Sequence, residues 1–249
     1  MVGGAAAVLG ARRLAALAVL AAVLAAYFAA HESLPALSTW WDVAVIALLV
    51  IPAVFATVWL VLPLWSQTWT WIAGLVCVAL AVVFEVLDWQ GAASFAKLGA
   101  ATFLAWAFLT LFEEVSWIVL VALLIPWVDA YSVWRGPTNV IVHKHEGVFS
   151  NLSFAYPVPG SHGTANLGIP DMVFFALFLA ASVRFRLRPL VTWALMTASF
   201  GATIAIAVAW HRDGLPALPL LSLAFLLANG DLLWREVKRA RARTAPPSA

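Results

Sequence analysis

The chain has 249 residues, 64% of them hydrophobic and only 10% charged, with a formal net charge of +2. A soluble domain carries roughly a quarter charged residues, so this composition excludes an ordinary water-soluble fold and makes a lipid bilayer the expected surroundings. The single cysteine, Cys77, excludes an intramolecular disulfide and a cysteine zinc cluster, and no basic, aromatic-interleaved surface points to nucleic acid.

A membrane-crossing helix needs about 20 mostly apolar residues. Eight segments are expected to cross: 14–30, 43–64, 69–87, 93–112, 115–134, 167–183, 190–209 and 215–234. The first follows Arg12 and Arg13 and ends in small residues, a pattern shared with cleaved signal peptides. Its apolar stretch exceeds a typical signal core, so a retained helix is expected. The predicted fold is all-α and polytopic, one integral membrane domain over 1–249. It divides into a four-helix part (1–112), a second four-helix part (113–234) and a basic tail (235–249). Fourteen tryptophans suit such a protein, because Trp anchors at headgroup level.

Lys and Arg near helix ends set orientation. Arg12 and Arg13 precede segment one, Arg184, Arg186 and Arg188 follow segment six, and Arg235, Lys238, Arg239, Arg241 and Arg243 follow segment eight. The opposite connections carry few cations: Lys97, Arg135, Lys144 and Arg212. Both termini are therefore expected in the cytoplasm, with the chain in the cell (cytoplasmic) membrane.

Only the connection 135–166 is long. Its first part, "TNVIVHKHEGVFSNLSFAYPV", alternates apolar and polar residues around His-Lys-His-Glu-Gly and predicts a short β-hairpin. The following "PGSHGT" reads as flexible. His143 and His145 form a metal-capable pair without a third ligand in view, so no metal is expected. Asn151-Leu152-Ser153 matches a glycosylation sequon, a pattern frequent by chance.

Two acids interrupt the apolar segments. Asp129 sits in "IPWVDAYSVWRGPT" near the outer end of segment five, and Asp171 in "LGIPDMVFF" near the outer end of segment six. At 1.5 Å per residue both lie roughly 6–8 Å below the same surface. Ionised carboxylates in a membrane are costly and usually face a polar cavity with a role. A close pair shares one proton, so one member activates water while the other polarises a carbonyl. The plain alternative is a carboxylate reaching for headgroups, as at Asp42, Asp88 and Asp231. Glu85 is nearly as deep as Asp171 and remains a competing partner. Segment eight opens with "GLPALPLLSLAF", whose prolines Pro216 and Pro219 loosen the first helical turn at that same face.

Together these stretches resemble the presenilin and signal peptide peptidase family of intramembrane aspartyl proteases, closest in pattern to its prokaryotic branch. The Tyr-Asp motif corresponds to "WVDAYSVWRGP", Gly-x-Gly-Asp to "LGIPDMVFF", and Pro-Ala-Leu to Pro216-Ala217-Leu218. Val128 stands where the family has Tyr, and Pro170 where it has the second Gly. The family usually has nine spans. The resemblance implies a presenilin-like bundle, catalytic Asp129 and Asp171, and substrate binding by Gly168, Pro216, Ala217 and Leu218. The implied substrates are membrane-spanning helices or signal-peptide remnants. No metal or cofactor is needed, and the active site is expected to face the extracytoplasmic side, as in signal peptide peptidases. Two alternatives are a proton-coupled transporter, since paired membrane carboxylates also relay protons, and an inactive helix-binding member of the family. A prepilin-type peptidase would place its dyad on the cytoplasmic side.

Overall fold

The computed structural model describes residues 2–135, 153–211 and 215–244. Among the described residues eight long helices occur, in the order expected. They are α1 (Val2–Ala30, broken at Gly10), α2 (Thr39–Leu64), α3 (Thr70–Val86), α4 (Gln90–Leu109), α5 (Val115–Arg135), α6 (Ile169–Arg184), α7 (Pro189–Ala209) and α8 (Leu218–Thr244). Six of them, not eight, are long and apolar enough to cross a membrane among the described residues: α1, α2, α4, α5, α7 and α8. The 17 residues of α3 and 16 of α6 rise only about 26 and 24 Å, against a hydrocarbon core of about 30 Å. Local sequence causes both shortfalls. A turn with positive φ at Asp88 follows α3, and strand geometry takes over the residues before Ile169.

Helix α6 is the core of the bundle. From Phe175 to Ser182 every residue is buried, because this stretch has no charge and small residues at 176, 180 and 181 let neighbours approach. Phe175 meets Phe55 of α2 at 4.1 Å between ring centroids, and Phe178 stacks on Phe225 of α8 at 4.7 Å. The Trp106 indole of α4 donates to the Ala176 carbonyl at 3.2 Å. By contrast α1 and α3 leave Val19, Val23, Leu75, Val82 and Val86 exposed. That suits a lipid solvent, where an outward apolar face costs nothing.

At one end of the bundle α6, α7 and α8 are tied together. Arg188 makes a two-pronged pair with Asp231 at 2.7 and 2.8 Å, and Asn229 joins the Arg188 amide to the Thr192 hydroxyl. Helix α8 continues without a break through the first ten residues of the expected basic tail, to Thr244.

The opposite end carries a two-stranded antiparallel hairpin, β1 (Ser153–Pro157) and β2 (Thr164–Gly168), with Ser153 opposite Gly168. Its position corrects the sequence reading. The expected turn at 143–147 lies outside the described residues, and the supposedly flexible "PGSHGT" stretch carries the turn and the start of β2. Gly160 adopts φ +65, and its amide donates to the His31 carbonyl at 2.7 Å. A Cβ there would meet the Ala36 amide nitrogen at 2.5 Å, so only glycine fits. His162 pairs with Glu32 at 2.9 Å. Tertiary contacts thus order a segment that looks loose in isolation.

Lys97 is a second correction. It is not a loop cation but lies two turns inside α4, 6% exposed, paired with Glu85 and donating to the Ser153 carbonyl at 3.2 Å. Removing one member of a buried pair strands the other charge at a cost of about 3–5 kcal/mol. Glu85→Gln is therefore expected to lower the thermal midpoint clearly, and Glu85→Gln with Lys97→Met to recover most of the loss. Equal midpoints for the wild type and the single variant would show that the pair contributes nothing.

Candidate active site

The three stretches singled out in the sequence meet at the hairpin end. The last turns of α5 bring Asp129 to the start of α8, where its Oδ2 accepts the Leu218 amide at 3.1 Å. The first amides of a helix lack intrahelical partners, and a carboxylate is favoured there by the helix dipole. Here the cap comes from another helix. Pro216 and Pro219 flank Leu218 and have no amide of their own to offer. Ala217 and Leu218 are buried, while Pro216 is half-buried. Pro126 lies one turn before Asp129 inside α5 and cannot donate to the Ala122 carbonyl, which loosens the helix below the site.

Asp171 is in the first turn of α6. Its Oδ2 accepts the Gly168 amide at 3.2 Å, the side-chain half of a capping box. Gly168 has an ordinary extended backbone, φ −64 and ψ 148, so its value is space. A Cβ there would sit 3.2 Å from Asp171 Oδ2. Pro170 is exposed in the first helical turn, where a missing amide breaks no helix bond.

Both aspartates are half-buried, and Asp129 is near enough to Asp171 for its charge to add to the effect of burial there. Each uses one carboxylate oxygen to cap a helix start. Among the described residues the other oxygen of each takes no hydrogen bond. The pair is thereby oriented by backbone amides, with one oxygen apiece left for other chemistry. Glu85 is engaged by Lys97 rather than by either aspartate. Among the described residues no group of three or more His, Cys, Asp and Glu could hold a metal ion. His143, His145 and Asn151 lie outside the described residues.

No family model, no curated protein and no solved structure matches the chain. The site therefore stands on its own residues. Val128, which replaces a tyrosine in the resemblance, is 60% exposed and Tyr131 is exposed as well.

Sequence reasoning missed the groups that fix the hairpin. Val158 donates to the Gly163 carbonyl at 3.1 Å. Paired positions alternate in an antiparallel ladder, so residues 153, 155 and 157 of β1 turn their backbone groups away from β2. One outward group of each is covered. Lys97 donates to the Ser153 carbonyl, the Ala155 amide donates to Ser94 Oγ at 3.4 Å, and Tyr27 donates to the Pro157 carbonyl at 2.6 Å. The same alternation turns Thr164, Asn166 and Gly168 outward on β2. Thr164 and Asn166 are exposed, and among the described residues nothing pairs with their backbone. A lone lysine and glutamate twelve positions apart in apolar helices were the only sequence signal for this arrangement.

Proposed function

We propose that the chain is an intramembrane aspartyl protease that hydrolyses peptide bonds of membrane-spanning helices or signal-peptide remnants. The observation that carries the reading is the junction of Asp129 with Leu218, within range of Asp171. It joins the first and third of the stretches whose order resembles the presenilin and signal peptide peptidase family, and the charge of Asp129 is felt at Asp171 in the second. In the proposed reaction the paired carboxyls share one proton. The ionised member takes a proton from water as that water attacks the carbonyl carbon. The protonated member donates to the carbonyl oxygen, giving a tetrahedral diol, whose collapse delivers a proton to the leaving amine.

A helical peptide hides its carbonyls in its own hydrogen bonds, so it must first unwind. The edge of β2, with which no described residue pairs, offers the unwound segment a strand to pair with, the mode called β-augmentation. That edge runs straight into Gly168 and the turn bearing Asp171, so a strand docked there passes the carboxylates. Backbone pairing accepts many sequences, which suits a protease acting on varied membrane segments.

The direct test is cleavage of a labelled membrane helix by the full chain in proteoliposomes, with proton flux followed in parallel. Product peptides without flux support the protease. Substrate-dependent flux without products supports the transporter instead.

The proposed orientation puts the hairpin end outside. Its support is the cation count: Arg12, Arg13, Arg184, Arg186, Arg188, Arg235 and Lys238 all belong to the opposite end, while Lys97 is neutralised by Glu85. In a Cys77→Ala background, His162→Cys in the exposed hairpin turn is expected to react with a membrane-impermeant thiol reagent on intact cells. Glu113→Cys, exposed between α4 and α5, is expected to stay unlabelled until the cells are opened. The reverse pattern would invert the topology.

A further inference from the structure

Tyr156 lies on β1, 1% exposed, and its buried hydroxyl has no hydrogen-bond partner among the described residues. A buried hydroxyl left unpaired costs about 1–3 kcal/mol, so its presence needs a reason. Packing does not supply one. The ring rests on Phe154 at 4.7 Å between centroids, and Phe154 packs edge-on against Phe28 and Phe95. A phenylalanine at 156 would fill that apolar nest without the orphaned oxygen.

Three features join this side chain to the carboxylates. Tyr156 is opposite Ala165 on β2, the strand that runs through Gly168 into the turn bearing Asp171. Asp171 folds back along that path to reach the Gly168 amide. Burial raises the affinity of the phenol for its proton, and the charge of Asp171 raises it further. Both effects favour the protonated phenol, which can act as a donor. The neighbouring Pro157 carbonyl is held by Tyr27, and Ala155 by Ser94, so the strand segment carrying Tyr156 is fixed on both sides.

We propose that Tyr156 is a positioning residue of the site, whose hydroxyl donates a hydrogen bond to the Asp171 carboxyl when the site closes on a peptide strand. The inference rests on the reading above that the site takes a peptide strand. The proton stays on the phenol throughout. The hydrogen bond holds Asp171 in the rotamer that faces the scissile carbonyl.

The test is Tyr156→Phe in the full chain in proteoliposomes. The maximal cleavage rate is expected to fall about thirtyfold, the size of one hydrogen bond to a charged group, with KM within twofold. The thermal midpoint should stay level or rise, because an unpaired polar atom is removed. A purely structural role would instead lower the midpoint and leave the maximal rate alone. A maximal rate within twofold of wild type overturns the proposal. Infrared spectroscopy supplies a second readout that needs no turnover. The carboxyl stretch lost in Asp171→Asn identifies the Asp171 band, and Tyr156→Phe should shift it in protein saturated with a hydroxyl-containing peptide isostere. An unshifted band overturns the contact even if the enzyme is active. If the wild type cleaves nothing while the band shifts, the protease reading fails and the contact stands.

Discussion

Asp129→Asn and Asp171→Asn are each expected to abolish cleavage of a membrane-helix reporter, a loss of about 10²–10⁴-fold or more. Both acids are required because the reaction needs one ionised and one protonated carboxyl at the same moment. Neither change should reduce the amount of folded protein. An asparagine oxygen still accepts the Leu218 amide from position 129 and the Gly168 amide from position 171, so both helix caps survive. The double variant should be no worse than either single one, because residues that act as a unit are non-additive. Near-normal activity in either single variant, measured by product peptide at equal abundance, would remove the dyad.

Asn166→Pro is expected to raise KM sharply and cut cleavage at low substrate by more than about tenfold. The argument comes from register. Asn166 faces Ala155 across the hairpin in a position whose amide points away from β1, so a proline removes an outward donor without cutting the pairing within the hairpin. Ala155→Pro is the matched comparison. It removes the amide that binds Ser94 and should lower stability rather than substrate affinity. Should Asn166→Pro leave KM unchanged in stable protein, the substrate does not pair with β2. Because the proposed interaction is backbone to backbone, Asn166→Ala should be nearly silent, which separates the edge from any role of the amide side chain.

The two experiments interrogate different layers of the site. The aspartates are set by helix starts: α8 presents Leu218 to Asp129, and α6 folds Asp171 back on Gly168. The β2 edge is set by everything that holds β1, including the pair of Lys97, two turns inside α4, with Glu85 at the end of α3. A change at Glu85 should therefore reach the substrate through the hairpin, although Glu85 touches neither aspartate.

Composition alone determined the solvent, since so few charges over so long a chain cannot cover a water-facing surface. Apolar run lengths placed all eight helices, because helix formation in lipid depends on local backbone bonding that hydropathy reports. Run length could not separate a helix that spans from one that is merely buried. The all-apolar stretch of α6 reads as lipid-facing but is enclosed by protein on every side, and hydropathy is the same for both surroundings. Likewise Asp129 and Asp171 were legible as costly carboxylates, while their assignment to the amides of Leu218 and Gly168 depended on which helix ends became neighbours. The hairpin turn, Lys97 and the covered edge of β1 were decided only by tertiary structure. Glu85 apart, their partners lie 56 or more positions away in the chain, beyond the reach of any local pattern, and a buried charge acquires its meaning only from the partner that folding brings to it.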